Sequence, residues 1–233
     1  MGNHLVTPQE LGFRLEQLAE PSYGEFSSRL TPGADNVLGV RMPHIHKLTT
    51  EILKGDFEDF LTLSGKGAFH EERMVRLLVI AKAKIDEEMR HRYIHAAVPQ
   101  LSNWAECDLF CSALKKSGRD AEGTWKLIQP HLASGREFEI RFAVVMILLY
   151  LLGPEQIDRS LKVLIDTKHE GYYVKMGVAW ALCEAFIKQR DKTIVLFKTE
   201  KLDQFTRSKT ASKICDSRRV PATDKIMIKQ ILC

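Results

Sequence analysis

Trp104 and Asp108 are the two residues of this chain whose types and spacing best suit a chemical role. They lie four residues apart in the segment SNWAECDLF, after the possible capping residues Ser102 and Asn103. Both side chains should therefore project from the same side of one helix. An aromatic face attracts a nearby cation by about 0.5 to 2 kcal/mol, and a carboxylate adds a counter-charge. A tryptophan packed between helices beside a solvated aspartate is the alternative, and the pattern alone leaves both open.

Two other tryptophans have simpler interpretations from their surroundings. Trp180 lies in the apolar run VAWAL, five residues after Lys175, where a core position is the more common interpretation. Trp125, in GTWKLI, is interpreted as helix packing. The chain contains no glycine-rich phosphate loop, no GxSxG and no HExxH motif. The common catalytic signatures therefore give no lead.

Two pairs of metal-ligand residues occur at helical spacing. Cys107 and Cys111 are four residues apart, as are His91 and His95. Two ligands are too few for a typical zinc site, so packing is the preferred interpretation of both pairs. We predict no metal site and no cofactor.

Basic residues recur at a step of 34 residues. The step is read from the alignment of IRFAVVMIL, which begins at Ile140, with VKMGVAWAL, which begins at Val174. Four of the five positions that it connects are basic, and the fifth is next to Asp108: Arg73, Cys107, Arg141, Lys175 and Lys209. At one register of stacked repeats, such residues would form a track for phosphates. Solvated residues of ordinary amphipathic helices are the alternative.

Helices must position all of these residues, because apolar residues recur with a period near 3.6 and no segment alternates like a half-buried strand. Helix pairs that repeat at a fixed period stack into a solenoid. The sequence therefore predicts an all-α fold, an α-α superhelix of HEAT-like repeats, as a single domain over residues 1–233. The longest loop is predicted at 30–39. The predicted helices are 8–18, 43–53, 56–64, 70–83, 87–97, 103–115, 121–131, 137–152, 154–165, 172–189, 192–198, 208–216 and 222–231.

The composition favours a soluble intracellular protein. The longest apolar stretch, 142–152, is too short to cross a bilayer, and the N-terminus lacks the pattern of a signal peptide. Five cysteines without a CxxC pair fit reduced thiols. The net charge is +4, yet residues 188–230 contain 12 basic and 5 acidic side chains. This end favours a polyanionic partner, with a solvated basic face as the alternative.

Six segments spread over the chain are recognisable together: GVRMPHIHKLTTEI from Gly39, HEERMVRLLVI from His70, SNWAECDLFCSALK from Ser102, EFEIRFAVVMILLY from Glu137, GYYVKMGVAWAL from Gly171 and LDQFTRSKTASKI from Leu202. In these segments the chain resembles the AlkD-like DNA alkylation repair family, over about residues 10–230. The resemblance implies a HEAT-like solenoid with N-glycosylase activity. Members of the family remove positively charged purines, such as 3-methyladenine and 7-methylguanine, from duplex DNA.

The resemblance also implies a set of site residues. Trp104 and Asp108 match the family's tryptophan and aspartate one turn apart, and Trp180 matches its second tryptophan, so these three are the expected catalytic residues. Arg141 matches its arginine and would hold phosphate, together with the other basic residues of the 34-residue step, Arg73, Lys175 and Lys209. The family is thought to act on a base that is still largely stacked. We expect a cytoplasmic monomer, associated with the nucleoid when it is bound to alkylated double-stranded DNA.

Three regions depart from the usual family pattern. Met176 and Cys183 stand where members usually have basic residues, and the opening segment LEQLAEPSYGEFSSRLTPG is divergent. These departures keep two alternatives open: a catalytically weak or inactive module that binds DNA or a partner through its concave face, and an adaptor that binds an acidic protein.

Overall fold

A computed structural model describes residues 6–63, 67–199 and 201–232, and over these ranges the chain is helical without any strand. The predicted all-α fold class is confirmed, and the arrangement is consistent with helical repeats. The chain divides into two compact units, Met1–Lys115 and Lys116–Cys233. The single domain over residues 1–233 stays a prediction. Nowhere in the described ranges is a helix both long enough and apolar enough to span a membrane.

Unit 1 is built around one largely buried helix. α5 has ten buried residues among its 13, so it can pack on several neighbours at once, and it contacts α1, α3, α4, α6 and α7. The helices described in this unit are α1 (Pro8–Gln17), α2 (Pro21–Leu30), α3 (Met42–Lys54), α4 (Phe57–Leu63), α5 (His70–Lys82), α6 (Glu87–Ala97) and α7 (Trp104–Ala113).

Unit 2 has two long apolar helices at its centre. α9 packs on α8 and α11, and α11 packs in turn on α13, α12 and α10. The helices described here are α8 (Ala121–Leu132), α9 (Glu137–Tyr150), α10 (Ile157–Asp166), α11 (Tyr172–Lys188), α12 (Arg190–Phe197), α13 (Gln204–Asp216) and α14 (Ala222–Leu232). Short 3₁₀ turns occupy Val98–Gln100 in unit 1 and Ser117–Arg119 in unit 2.

Ion pairs within unit 2 join residues about one repeat apart in sequence. Lys192 bonds Asp158 at 2.6 Å and Arg190 bonds Asp224 at 2.7 Å, in both cases 34 residues away. Arg159 bonds Glu122, 37 residues away, at 3.1 Å. These separations agree with the 34-residue step read from the sequence, because equivalent positions of stacked repeats become neighbours.

The sequence did not predict α2, and it misplaced the start of two helices by three residues or more. In α2 (PSYGEFSSRL) the apolar residues Tyr23, Phe26 and Leu30 recur at helical spacing, but the helix is short and only Gly24 is buried in it, so the pattern is a weak signal. α13 begins at Gln204 rather than at residue 208. The side chain of Asp203 caps its first turn. α10 begins at Ile157 rather than at residue 154. One predicted helix ended at Ser64, which lies outside the described residues.

A buried carboxylate helps to fix the loop after α2. Glu71 of α5 accepts backbone hydrogen bonds from Leu38, Gly39 and Val40, at 3.1, 2.8 and 3.2 Å. Gly39 has a φ of 86°, a left-handed conformation that favours glycine. These bonds attach the loop to the central helix of unit 1 and hold α2 beside it.

Candidate functional site

The N-terminal turn of α7 positions the tryptophan and the aspartate predicted from the sequence. The Asn103 side chain caps the helix by accepting a 3.0 Å hydrogen bond from the backbone of Glu106. Trp104 is therefore the first helical residue, and Asp108 follows one turn later. Both side chains are half-buried.

Both residues line a groove of about 490 Å³ within unit 1. Its other walls are formed by α2, by the loop that follows it and by α5, and include Tyr23 and Phe26 from α2 and His70 from α5. A mostly apolar groove of this volume with a few polar groups is typical of a small-molecule or nucleobase site. The structure thus brings Trp104 and Asp108 together in one concave surface.

Trp104 is fixed at the edge of this groove by α2. Its indole Nε1 donates a 3.1 Å hydrogen bond to the carbonyl of Leu30, the last residue of α2. The bond orients the ring and also satisfies one of the carbonyls left without a helical partner at that helix end. The unpredicted helix α2 therefore contributes directly to the site.

A buried network lies beneath the same turn of α7. Oε1 of Glu106 accepts hydrogen bonds from His70 Nδ1 at 2.9 Å and from Arg73 Nε at 2.8 Å. Burial alone would raise the pKa of Glu106, but the hydrogen bonds from His70 and Arg73 and the positive charge of Arg73 lower it to about 2. Glu106 is therefore an anion that holds α7 on α5.

Arg73, predicted from the sequence as a DNA-binding residue, belongs to this network. Its side chain is only 6% exposed, and its guanidinium also bonds Asp35 in the loop after α2. The positive charge of Arg73 is therefore paired with carboxylates of unit 1.

The remaining basic positions lie in unit 2 and differ in exposure. Arg141 is 6% exposed, and its Nη1 donates a 2.8 Å bond to the carbonyl of Tyr173. Lys175 bonds Glu170 at 2.8 Å, which raises the pKa of the lysine. Lys209 is exposed, with its Nζ 5.7 Å from the centre of the Phe205 ring. Lys209 is thus the most accessible of the three.

Trp180, the second predicted tryptophan, is half-buried on α11. On the same helix Met176 is half-buried and Cys183 is only 4% exposed. Burial raises the pKa of the Cys183 thiol to about 11. Two positions of α11 where basic residues were expected are therefore uncharged. Arg141, Lys175, Trp180 and Lys209 belong to unit 2, whereas Trp104, Asp108 and Arg73 belong to unit 1.

Sequence reasoning missed His70, Glu71 and Glu106. One signal could have found the network, because Glu106 lies 33 residues after Arg73, close to one repeat step. A basic residue and an acidic residue at that offset are candidates for a pair between repeats. In the described part of the chain, no cluster of three or more His, Cys, Asp or Glu side chains could hold a metal ion.

Comparison with known protein families gives a match to the DNA alkylation repair enzyme family over residues 13–211. The chain belongs to this family. The match to DNA alkylation repair enzymes includes every residue of the predicted site, from Arg73 in α5 to Lys209 in α13. Neither the curated proteins nor the solved structures give a match.

Proposed function

We propose that this protein is a DNA N-glycosylase that removes positively charged alkylated purines, such as 3-methyladenine and 7-methylguanine, from duplex DNA. Membership of the DNA alkylation repair enzyme family supports DNA as the partner. The observation that carries the proposal is the position of Asp108, one turn after Trp104, in the groove of unit 1. The protein would act on DNA inside the cell.

The chemistry follows from the charge of the damaged base. Alkylation at a ring nitrogen makes the purine cationic, so when the bond from the sugar C1′ to the base nitrogen breaks, its electron pair neutralises the ring and a neutral base leaves. The sugar then carries an oxocarbenium-like positive charge. The Asp108 carboxylate stabilises that charge and orients a water molecule, which adds to C1′ and loses a proton.

The tryptophans and the basic residues have binding roles in this proposal. Trp104 of unit 1 and Trp180 of unit 2 each contact the sugar and backbone of bound DNA. Lys175 and Lys209 hold phosphates, which gives affinity without reading the sequence. Arg141, which is 6% exposed and bonded to the Tyr173 carbonyl, adds positive charge behind them. Arg73, whose guanidinium is bound to Glu106 and Asp35, holds α7 in place.

The test is the release of 7-methylguanine from an alkylated duplex, measured by mass spectrometry of the free base. We expect Asp108→Asn to lower release by about 100-fold or more, because the substitution removes the charge that stabilises the transition state. Asp59→Asn is the matched control, since Asp59 is an exposed aspartate of α4 in the same unit. Wild-type release no greater than that of a sample without enzyme would refute the glycosylase.

A non-catalytic DNA-binding module is the second candidate. It is favoured by Met176 and by the buried thiol of Cys183, which leave α11 with fewer positive charges than the family usually has at these positions. This function would be supported if the wild type binds the alkylated duplex and releases no base. The Asp108→Asn variant should then bind the duplex as tightly as the wild type does.

A further inference from the structure

Four aromatic side chains form a continuous row across the N-terminal ends of α9, α11 and α13. We call this set, Phe138, Tyr172, Tyr173 and Phe205, the aromatic row. The ring centres of Phe138 and Tyr173 are 5.2 Å apart, those of Tyr173 and Tyr172 are 5.2 Å apart, and those of Tyr172 and Phe205 are 5.9 Å apart. Each ring thus touches the next, and the row joins three alternate helices of unit 2, α9, α11 and α13.

The aromatic row is accessible rather than buried. Tyr172, which contacts rings on both sides, is 54% exposed, and the other three side chains are partly exposed. Aromatic rings contribute most to stability when they are removed from water. A row of touching rings that remains accessible to solvent is therefore better explained as a binding surface than as part of the core of unit 2.

Positive charge follows the aromatic row one turn further along each helix. Arg141, Lys175 and Lys209 lie three or four residues after Phe138, Tyr172 and Phe205. The Arg141 guanidinium is 6.0 Å from the centre of the Tyr173 ring. The three segments that contain the row, 136–141, 168–175 and 201–209, hold seven Lys or Arg residues against four Asp or Glu residues. Rings beside excess positive charge are complementary to a nucleic-acid strand.

We propose that the aromatic row is a stacking surface for unpaired nucleotides of a DNA strand, whose phosphates are neutralised by Lys175 and Lys209 one turn away. Every base has a flat face, so stacking on such a row is independent of sequence. Four connected rings also suit a strand better than a single base. Only the choice of DNA as the partner rests on the proposed function.

Binding of a fluorescent single-stranded oligothymidine of about 12 nucleotides, followed by anisotropy at fixed low salt, tests this surface. We expect Tyr172→Leu to weaken binding at least about 5-fold, because leucine keeps apolar bulk but has no ring on which a base can stack. Tyr172→Phe should bind like the wild type. Ile226→Ala removes a comparably exposed apolar side chain of α14 and is the control. Equal thermal melting of all variants shows that folding is unaffected.

Two outcomes would overturn the stacking surface: Tyr172→Leu binding as tightly as the wild type, or an equal loss of affinity for a fully paired duplex. Neither involves Asp108. If base release depends on Asp108 while Tyr172→Leu binds the strand normally, the stacking surface fails and the glycosylase stands. If the wild type releases no base, but Tyr172→Leu loses affinity for the single strand and not for the duplex, the stacking surface stands and the glycosylase fails.

Discussion

Among single residues, Glu106 anchors the turn of α7 that carries Trp104 and Asp108. Its side chain is 1% exposed and bonds both His70 and Arg73. Removing its carboxylate would leave the buried guanidinium of Arg73 with less negative charge beside it. Burying an uncompensated charge is costly, whereas an exposed ion pair contributes little. The positions of Trp104 and Asp108 therefore depend on a residue that lies between them in sequence and faces the other way.

We expect Glu106→Gln to lower the free energy of unfolding by about 3 kcal/mol, since it breaks a buried ion pair on one side. Urea denaturation measures the loss. Glu88→Gln is the control, because Glu88 is 81% exposed and pairs with an exposed Arg92. A loss no larger than that of the control would contradict the structural role of Glu106.

The pH dependence of the same variant gives a second readout. Burial tends to raise the pKa of Glu106, but its bonds to His70 and Arg73 bring the value from 4.5 to about 2 in the folded protein. The stabilisation is therefore present above pH 4.5 and is lost as the pH falls towards 2. The difference in Tm between wild type and Glu106→Gln should shrink over this interval, and a constant difference would show that charge is not its source.

At this scale the sequence predicted the pair and missed the network. Trp104 and Asp108 are related by one helical turn, which is a local spacing visible in the sequence. Glu106 meets His70 and Arg73 only because two repeats stack, since the partners are separated by 36 and 33 positions in the sequence. Which side chains meet across that distance depends on helix packing.

Among the helices, α2 shows why periodicity is an incomplete guide. α2 contacts its surroundings partly through Gly24, where a Cβ would lie 3.2 Å from the carbonyl oxygens of Val37 and Leu38. Its apolar residues Phe26 and Leu30 remain exposed, so the close backbone approach at Gly24 positions the helix more than a buried apolar face does. The loop after it was correctly predicted, because residues 30–39 lack helical period and contain Pro32 and Gly33.

Gly39→Ala tests the packing of α2 on its loop. Gly39 has a φ of 86°, and a Cβ there would lie 2.4 Å from the Glu20 carbonyl oxygen and 2.4 Å from the Gly24 nitrogen. We expect the substitution to lower the free energy of unfolding by more than about 1 kcal/mol. Gly153→Ala is the control, because no atom lies within 4 Å of the Cβ it would add. Equal urea midpoints for the two variants would exclude the close approach.

For the whole molecule, the all-α class followed from the absence of alternating patterns and the recurrence of apolar residues near every 3.6 positions. The division into two compact units did not, because it depends on how many contacts each helix makes. The solvent exposure of the basic residues could not be predicted from the sequence either. Arg73 and Lys209 occupy equivalent positions of the 34-residue step, yet one is 6% exposed and the other lies on the surface.

This difference predicts how DNA binding responds to salt. Lys209→Ala should weaken binding to any duplex sequence and lower the slope of log affinity against log salt by about 1, because one phosphate contact is lost. Lys54→Ala, which removes an exposed lysine of α3 in unit 1, should leave the slope unchanged. An unchanged slope in Lys209→Ala would remove Lys209 from the DNA contacts. A wild-type affinity independent of salt would favour an adaptor for an acidic protein.

The hydrogen bond from Trp104 to Leu30 has a consequence for the order in which the protein forms during synthesis. Ion pairs such as Lys192 with Asp158 join residues 34 positions apart, whereas this bond joins residues 74 positions apart. Doubling the length of a closed loop costs only about 0.6 kcal/mol, so the longer span is a small thermodynamic burden. It is a larger constraint on timing. The end of α2 leaves the ribosome more than 70 residues before its partner, so this wall of the groove is completed only after the central helix of unit 1 has been made.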